Sequence, residues 1–382
     1  MTASGTDAIV VLGSGLAGWT TVRELRKLDA AVPVTVVSAD DGDFYAKPSL
    51  SNAFAQGKRP EQLVSTPAAK MAATLNVTLL PRTRVESIDA ARRELVTSQG
   101  RILYAKLVLA TGADPIRIPL AGDAAHAVRS VNSLDDFAAF HAQLRPGAHV
   151  AIMGAGLIGS EFANDLAGAG YRVSVVDPSS RPLAALLPEQ ASAALADALQ
   201  ALGVRFHFGT TVQSVDRDGG KLRLQLADGT AFDADVVLSA VGLRPNVALA
   251  RAAGLQCGRG IVVDETLATS DPAIFALGDC AEYAGGRCLP YVMPIMSAAR
   301  VLAAGLAGRG GTLSFPLMPV SVKTPALPLV IASPAAGGDG QWHAPEDGLW
   351  HFVDGGGLAR GFVLAGKQTL RRAEQAQRLA AV

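Results

Sequence analysis

Two glycine turns carry the chemistry that this sequence can do. Gly13-Ser14-Gly15-Leu16-Ala17-Gly18 follows the apolar run Ala8-Ile9-Val10-Val11-Leu12, and Gly154-Ala155-Gly156-Leu157-Ile158-Gly159 follows His149-Val150-Ala151-Ile152-Met153, 141 positions later. In a G-x-G-x-x-G turn between a strand and a helix, the first two glycines allow a sharp bend and close backbone approach to a pyrophosphate. The third lets the helix pack tightly on the strand. The anion then sits on free N–H groups at the positive end of the helix dipole. One such turn is weak evidence. Two, each opening a β-α-β stretch, predict two dinucleotides in one chain and electrons passing from one to the other.

An acid ending the second strand of each unit is expected to bind the adenosine ribose hydroxyls, about 20 residues beyond the third glycine. Asp40, with Asp41 beside it, lies 22 residues past Gly18, and Asp177 lies 18 past Gly159. Asp177 would repel a 2′-phosphate, so the second site is expected to prefer NADH to NADPH. Arg181, four positions on, could engage a phosphate instead. Asp177 carries more weight because it sits at the strand end, and Arg181 is expected to be a solvated loop charge.

The elements that must position these residues are legible in outline. Helix 17–28 and strand 34–38 follow the first turn. Residues 46–80 are broken by Pro and read as irregular, with helical patches. Strand-like alternation occupies 84–88, 94–96 and 107–110, followed by a break at Thr111-Gly112-Ala113-Asp114-Pro115. A helix fits 135–144, and the β-α-β plan repeats over 149–177. A helix at 189–202 and strands at 204–208, 212–216, 222–226 and 236–241 follow. Ile274-Phe275-Ala276-Leu277-Gly278-Asp279 reads as a short strand ending in Gly-Asp, and 296–307 as an Ala-rich helix. The tail has strands near 320–322, 329–332, 349–353 and 361–364 and a basic helix near 367–379. The expected architecture is α/β: two Rossmann-like three-layer dinucleotide-binding domains, the second inserted in the first, plus a small α+β C-terminal domain. The domain boundaries expected are 1–113 with 246–315, then 114–245, then 316–382.

Composition narrows the class. The 382 residues include 34 basic and 34 acidic side chains, so charge gives no reason to expect nucleic acid or an anionic membrane as partner. Apolar residues make up 49%, ample for sizeable cores, yet no run approaches the roughly 18 apolar residues of a spanning helix. The first seven residues lack a basic region and an apolar core, so no leader is expected there. Cys257, Cys280 and Cys288 cannot all pair, and their spacing matches no metal motif; no metal is expected, and the chain reads as cytoplasmic.

Taken in order, the first glycine turn, Ala110-Thr111-Gly112, the second turn, and Thr269 with Ala276-Leu277-Gly278-Asp279 resemble the FAD-dependent pyridine nucleotide oxidoreductases. The resemblance spans almost the whole chain. It implies FAD, tightly bound, on the first fold and NADH, as electron donor, on the inserted one. The carboxylate of Asp279 is implied to bond a ribityl hydroxyl, and Val85, Thr111, Gly112 and Gly242 join the glycine turns as implied cofactor contacts. The disulfide-exchange branch needs a Cys pair early in the first domain, and no Cys precedes 257; Ser49 and Ser51 stand where a single-Cys relative has its thiol. Tyr45-Ala46-Lys47-Pro48-Ser49-Leu50-Ser51 is similar instead to the Y-x-[RK]-P-x-L-S segment of reductases that serve small iron–sulfur carriers, where Lys47 would neutralise flavin diphosphate. Three further segments point to the branch that reduces rubredoxin: Gly154 through Leu166, Ser239-Ala240-Val241-Gly242-Leu243-Arg244-Pro245, and Met318-Pro319-Val320-Ser321-Val322-Lys323-Thr324-Pro325.

That resemblance assigns two catalytic residues. Glu161 is implied to face the nicotinamide–flavin junction and Lys323 to approach the flavin from the C-terminal domain and tune its potential. The implied reaction is hydride transfer from NADH to flavin, then single electrons to rubredoxin, a small iron–tetrathiolate protein that docks transiently. Rubredoxins are typically acidic, so a basic face near Lys367, Arg371, Arg372 and Arg378 is expected to receive it. The C-terminal domain, about 60 residues, is short for the wider family and favours a monomer. A ferredoxin or flavorubredoxin reductase of the same branch, an NADH oxidase, and a non-catalytic FAD/NADH redox sensor stay open as alternatives.

Overall fold

The computed structural model of the chain describes residues 8–334 and 338–380. The amino-terminal seven residues, where no leader was expected, lie outside the described residues. The chain divides into two compact units. Among the described residues, one gathers 8–46, 64–114 and 243–315; the other gathers 47–63, 115–242, 316–334 and 338–380.

The first unit is built on a five-stranded parallel sheet ordered Ile274–Ala276, Lys106–Leu109, Ile9–Leu12, Val34–Val37, Thr78–Leu80. Ile9–Leu12 and Val34–Val37 are buried along their whole length, as strands are when a parallel sheet is covered on both faces. Helix Leu16–Leu28 follows the first glycine turn and packs on Val292–Leu306. The second helix starts four residues before the expected 296. Pro294 falls in its first turn, where no backbone N–H is needed, so the ring does not break it. A three-stranded antiparallel sheet, Val85–Asp89, Glu94–Thr97 and Gly100–Leu103, completes the unit.

The second unit repeats the plan. Its four-stranded parallel sheet runs Arg205–Phe208, Arg172–Asp177, His149–Met153, Val236–Ser239, with helix Leu157–Gly168 after the second glycine turn. The tail forms a five-stranded antiparallel sheet, Val320–Val322, Leu329–Ala332, Ala359–Ala365, Leu349–Asp354, Gly340–Glu346, and closes with helix Arg372–Ala380. The fold is the expected α/β arrangement.

Several elements escaped the sequence reading. Strand Thr78–Leu80 lies in the stretch read as irregular, whose expected helical patches include helix Ala68–Leu75. Strand Gly340–Glu346 is an exposed edge that contains Pro345, so it has neither a buried face to create alternation nor an inner ladder for proline to break. Gly100–Leu103, with one buried residue, and Ala231–Ala234 were missed for the same lack of alternation. Among the described residues, no helix is long and apolar enough to cross a membrane.

Candidate functional site

The two glycine turns have the same local build. A β-carbon at Gly13 would lie 2.2 Å from the Ala110 carbonyl oxygen, and one at Gly18 only 1.9 Å from the Gly13 carbonyl oxygen. These glycines are required by the protein's own packing. Gly15 differs: a β-carbon there would meet nothing within 4 Å. Its missing side chain leaves room for something that is not this chain. Gly154, Gly159 and Gly156 repeat the pattern, with 2.7 Å to Ala240 O, 1.9 Å to Gly154 O and open space. Each following helix begins with no acid in its first turn and no side-chain cap, so its first N–H groups stay available to an anion. Leu16 and Ala17 open the first helix; Leu157 and Ile158 open the second, Ile158 being 43% exposed. Both cradles suit a dinucleotide pyrophosphate.

Around the first turn the chain gathers most of the expected contacts. Asp40 Oδ1 accepts from Ser14 Oγ (3.1 Å), from Ser38 Oγ and from the Gly42 N–H (2.9 Å), so this carboxylate is turned onto the glycine loop. Thr83 N–H donates to Ser38 O at 2.7 Å, placing Val85 two residues beyond that contact. Thr111 follows the carbonyl that crowds Gly13 and donates to Asn246 O at 3.0 Å; Gly112 takes φ +68°. Gly278 brings Asp279 alongside, for its β-carbon position is 2.9 Å from the Ala17 methyl. In the second unit, Asp177 closes its strand, and its carboxylate accepts from Ala155 N (2.6 Å) and Ser179 N (2.7 Å). Gly242 lies two residues past the carbonyl that meets Gly154 and accepts from Ile116 N at 3.0 Å.

The second glycine helix is buried from Gly159 to Leu166 despite carrying Glu161, Asn164 and Asp165. These three share one face at i, i+3, i+4 spacing, and each holds a remote segment. Glu161 Oε1 accepts from Lys323 N (3.0 Å). Its Oε2 accepts from Ser51 Oγ (2.6 Å) and pairs with Lys323 Nζ (2.5 Å). Lys323 Nζ also donates to Ser51 Oγ (2.9 Å) and Pro48 O (2.5 Å). Asn164 accepts from Ala326 N (3.0 Å), and Asp165 from Phe54 N and Ala55 N (each 2.9 Å). Burial pushes the Asp165 carboxyl up, against the pull of those N–H groups. Ser51 and Asp165 were not anticipated as site residues, although both lie in segments that carry the family resemblance; their role has meaning once the remote partners are known. Glu161 sits one turn inside the helix, and its oxygens face a protein cation and a hydroxyl.

A family model for pyridine nucleotide-disulphide oxidoreductase matches residues 7–303, and one for a rubredoxin binding C-terminal domain matches 312–379. The chain belongs to the pyridine nucleotide-disulphide oxidoreductase family. A rubredoxin-NAD(+) reductase of Alcanivorax borkumensis is 45% identical over 98% of this chain and 99% of its own. A nitric oxide reductase FlRd-NAD(+) reductase of Aeromonas hydrophila is 41% identical over 94% and 93%. Among solved structures, a covalent putidaredoxin reductase–putidaredoxin complex aligns with TM-score 0.89 at 27% identity, over 99% of this chain and 94% of that one.

The family name mentions a disulphide, yet Cys257, Cys280 and Cys288 are all free thiols. Burial raises the pKa of each, so none is favoured as a thiolate. Lys47, in the 3-10 stretch Lys47–Asn52, donates to Asn132 Oδ1 at 3.0 Å. The four cations expected at the docking face differ in what they touch. Arg371 is held by Glu346 (2.5 Å) and Glu374 (2.9 Å), and Arg372 donates to Pro319 O (2.9 Å) and Ser321 Oγ (3.2 Å), while Lys367 and Arg378 are exposed. Arg181 also departs from expectation. It is half-buried rather than solvated, and its Nε meets no hydrogen-bond partner. A buried donor left unmade costs about 1–3 kcal/mol.

Proposed function

We propose that this protein carries electrons from NADH through FAD to rubredoxin. One observation carries the reading: two glycine cradles whose middle glycines face open space, in a chain whose tail matches the rubredoxin-binding model. FAD is assigned to the first cradle and the domain 1–113 with 246–315, NADH to the second cradle and 114–245, and the carrier protein to 316–382. When bound, FAD supplies the conversion of a two-electron hydride into single electrons for a one-iron carrier.

The chain's own residues do the rest. The N–H groups after Gly15 and Gly156 hold the two pyrophosphates. Asp279 accepts from a sugar hydroxyl of the flavin nucleotide, and Asp177 orients the adenosine ribose of NADH while keeping the second glycine turn in shape. Lys323 supplies positive charge that favours electron density on the flavin ring, and Glu161 and Ser51 hold its ammonium in place. The reading extends to a cytoplasmic location, on the free thiols, and to a monomer, on the short C-terminal domain; size-exclusion mass measurement checks the monomer.

The test is anaerobic mixing of the purified holoprotein with NADH, then with oxidised rubredoxin. NADH should bleach the flavin and rubredoxin should then restore its colour while becoming reduced. Bleaching without rubredoxin reduction overturns the carrier, and no bleaching overturns the donor. Flavorubredoxin is a second carrier to try, favoured by the 41% identical relative.

A further inference from the structure

We propose that Arg181 is a phosphate contact of the dinucleotide bound at the second glycine turn. The assignment rests on the NADH reading above. Three observations converge on it. The first is the orphaned donor: among the described residues, Arg181 Nε and Tyr104 Oη are the buried side-chain polar atoms without a hydrogen-bond partner. A guanidinium offers a planar fork of donors suited to phosphate oxygens, and on Arg181 the protein itself leaves one of them unmet.

The second is the backbone that carries it. Leu183, two residues on, takes φ +52°, a left-handed conformation that a leucine adopts at a cost, and it is buried. From there its N–H donates to Ala155 O at 2.9 Å. Leu183 is thus strapped onto the loop between Gly154 and Gly156, the latter facing open space, and Arg181 precedes it by two residues. The third concerns Asp177. Both of its oxygens accept backbone N–H groups, from Ala155 and Ser179. The acid beside the site is partly consumed in holding the turn, and Arg181 supplies the countercharge that a bound polyanion needs.

Two phosphates could be the partner, the pyrophosphate that NADH and NADPH share or the 2′-phosphate of NADPH alone. Isothermal titration of the FAD-loaded protein with ADP-ribose and with 2′-phospho-ADP-ribose separates them. Arg181→Gln should weaken ADP-ribose about tenfold and flatten the fall of affinity with salt. Arg181→Met, which keeps the unbranched stem, serves as a second variant should the first fail to fold, with the same result expected. Equal loss for both ligands assigns the contact to the pyrophosphate. A loss confined to the 2′-phosphorylated ligand, its salt dependence flattened while ADP-ribose is unchanged, assigns it to the 2′-phosphate.

Binding of both ligands within twofold of the native protein overturns the assignment. So does a loss with the salt dependence intact, which marks a loop-packing role. Native protein that binds no ADP-ribose overturns the NADH reading and this assignment together; native binding with an unaffected variant overturns this assignment alone.

Discussion

At Gly15 and Gly18, three residues apart, the same substitution has opposite consequences. Gly15→Ala adds a methyl that meets no protein atom within 4 Å, so the chain should fold and melt as the native one does when stripped of FAD. Its FAD affinity should fall, measured by flavin release on dilution. Gly18→Ala forces a methyl to within 1.9 Å of a backbone carbonyl, and the flavin-free protein should itself melt lower. Equal melting temperatures for the two variants would contradict the division into a packing glycine and a ligand-facing glycine. Glu161 poses a different question. Removing it in Glu161→Ala leaves the Lys323 ammonium without its carboxylate, a loss of about 3–5 kcal/mol for a fully buried pair. Lys323 keeps 29% of its side chain exposed, so the lower end, about 3 kcal/mol, is expected by denaturant titration. Glu161→Ala with Lys323→Met should recover part of it; a double variant that is the sum of the two singles would show that the pair is not coupled.

At the scale of elements, strand His149–Met153 carries a pH dependence. His149 is held neutral: Nδ1 donates to Asp233 O (2.7 Å) and Nε2 accepts from Ser174 Oγ (2.9 Å). Burial holds its pKa below the ordinary 6.5; Arg172 and Arg205 push the same way, while the Asp233 carbonyl and Asp235 oppose. The unfolded chain therefore takes up a proton that the folded one resists. Stability from this site is fully present above about pH 6.5 and is lost as pH falls toward the depressed folded value. His149→Gln should flatten that slope in urea midpoints between pH 7 and pH 5; an unchanged slope would place the titrating group elsewhere. Helix Leu157–Gly168 makes a second point about elements. Its buried Glu161, Asn164 and Asp165 fasten the segments at 51–55 and 323–326, so one helix face both follows a nucleotide turn and anchors the Lys323 loop.

On the scale of the whole molecule, the net charge is zero, so steering of an acidic carrier depends on local clusters. In the tail, Arg371 and Arg372 are already engaged, which leaves Lys367 and Arg378 as the exposed cations of the set. Rubredoxin reduction at limiting carrier should slow with added salt, and Lys367→Glu should lower kcat/KM for rubredoxin while NADH-dependent reduction of the flavin stays unchanged. A rate that ignores ionic strength would remove steering from the account.

The sequence by itself determined the two cradles, the α/β class and the family, because glycine spacing after an apolar strand is a local constraint and each local element repeats it. It also placed Asp177 at a strand end and Asp279 after a Gly, since strand length and turn chemistry are read within a few residues. Tertiary structure alone decided what those residues touch. Glu161 meets Ser51 across 110 positions and Lys323 across 162, separations that no periodicity reports. Arg181, expected in solvent, is half-buried two residues before Leu183, whose N–H donates to Ala155 O. Edge strands such as Gly340–Glu346 stayed invisible for the converse reason: with neither face buried, nothing in the order of residues had to alternate.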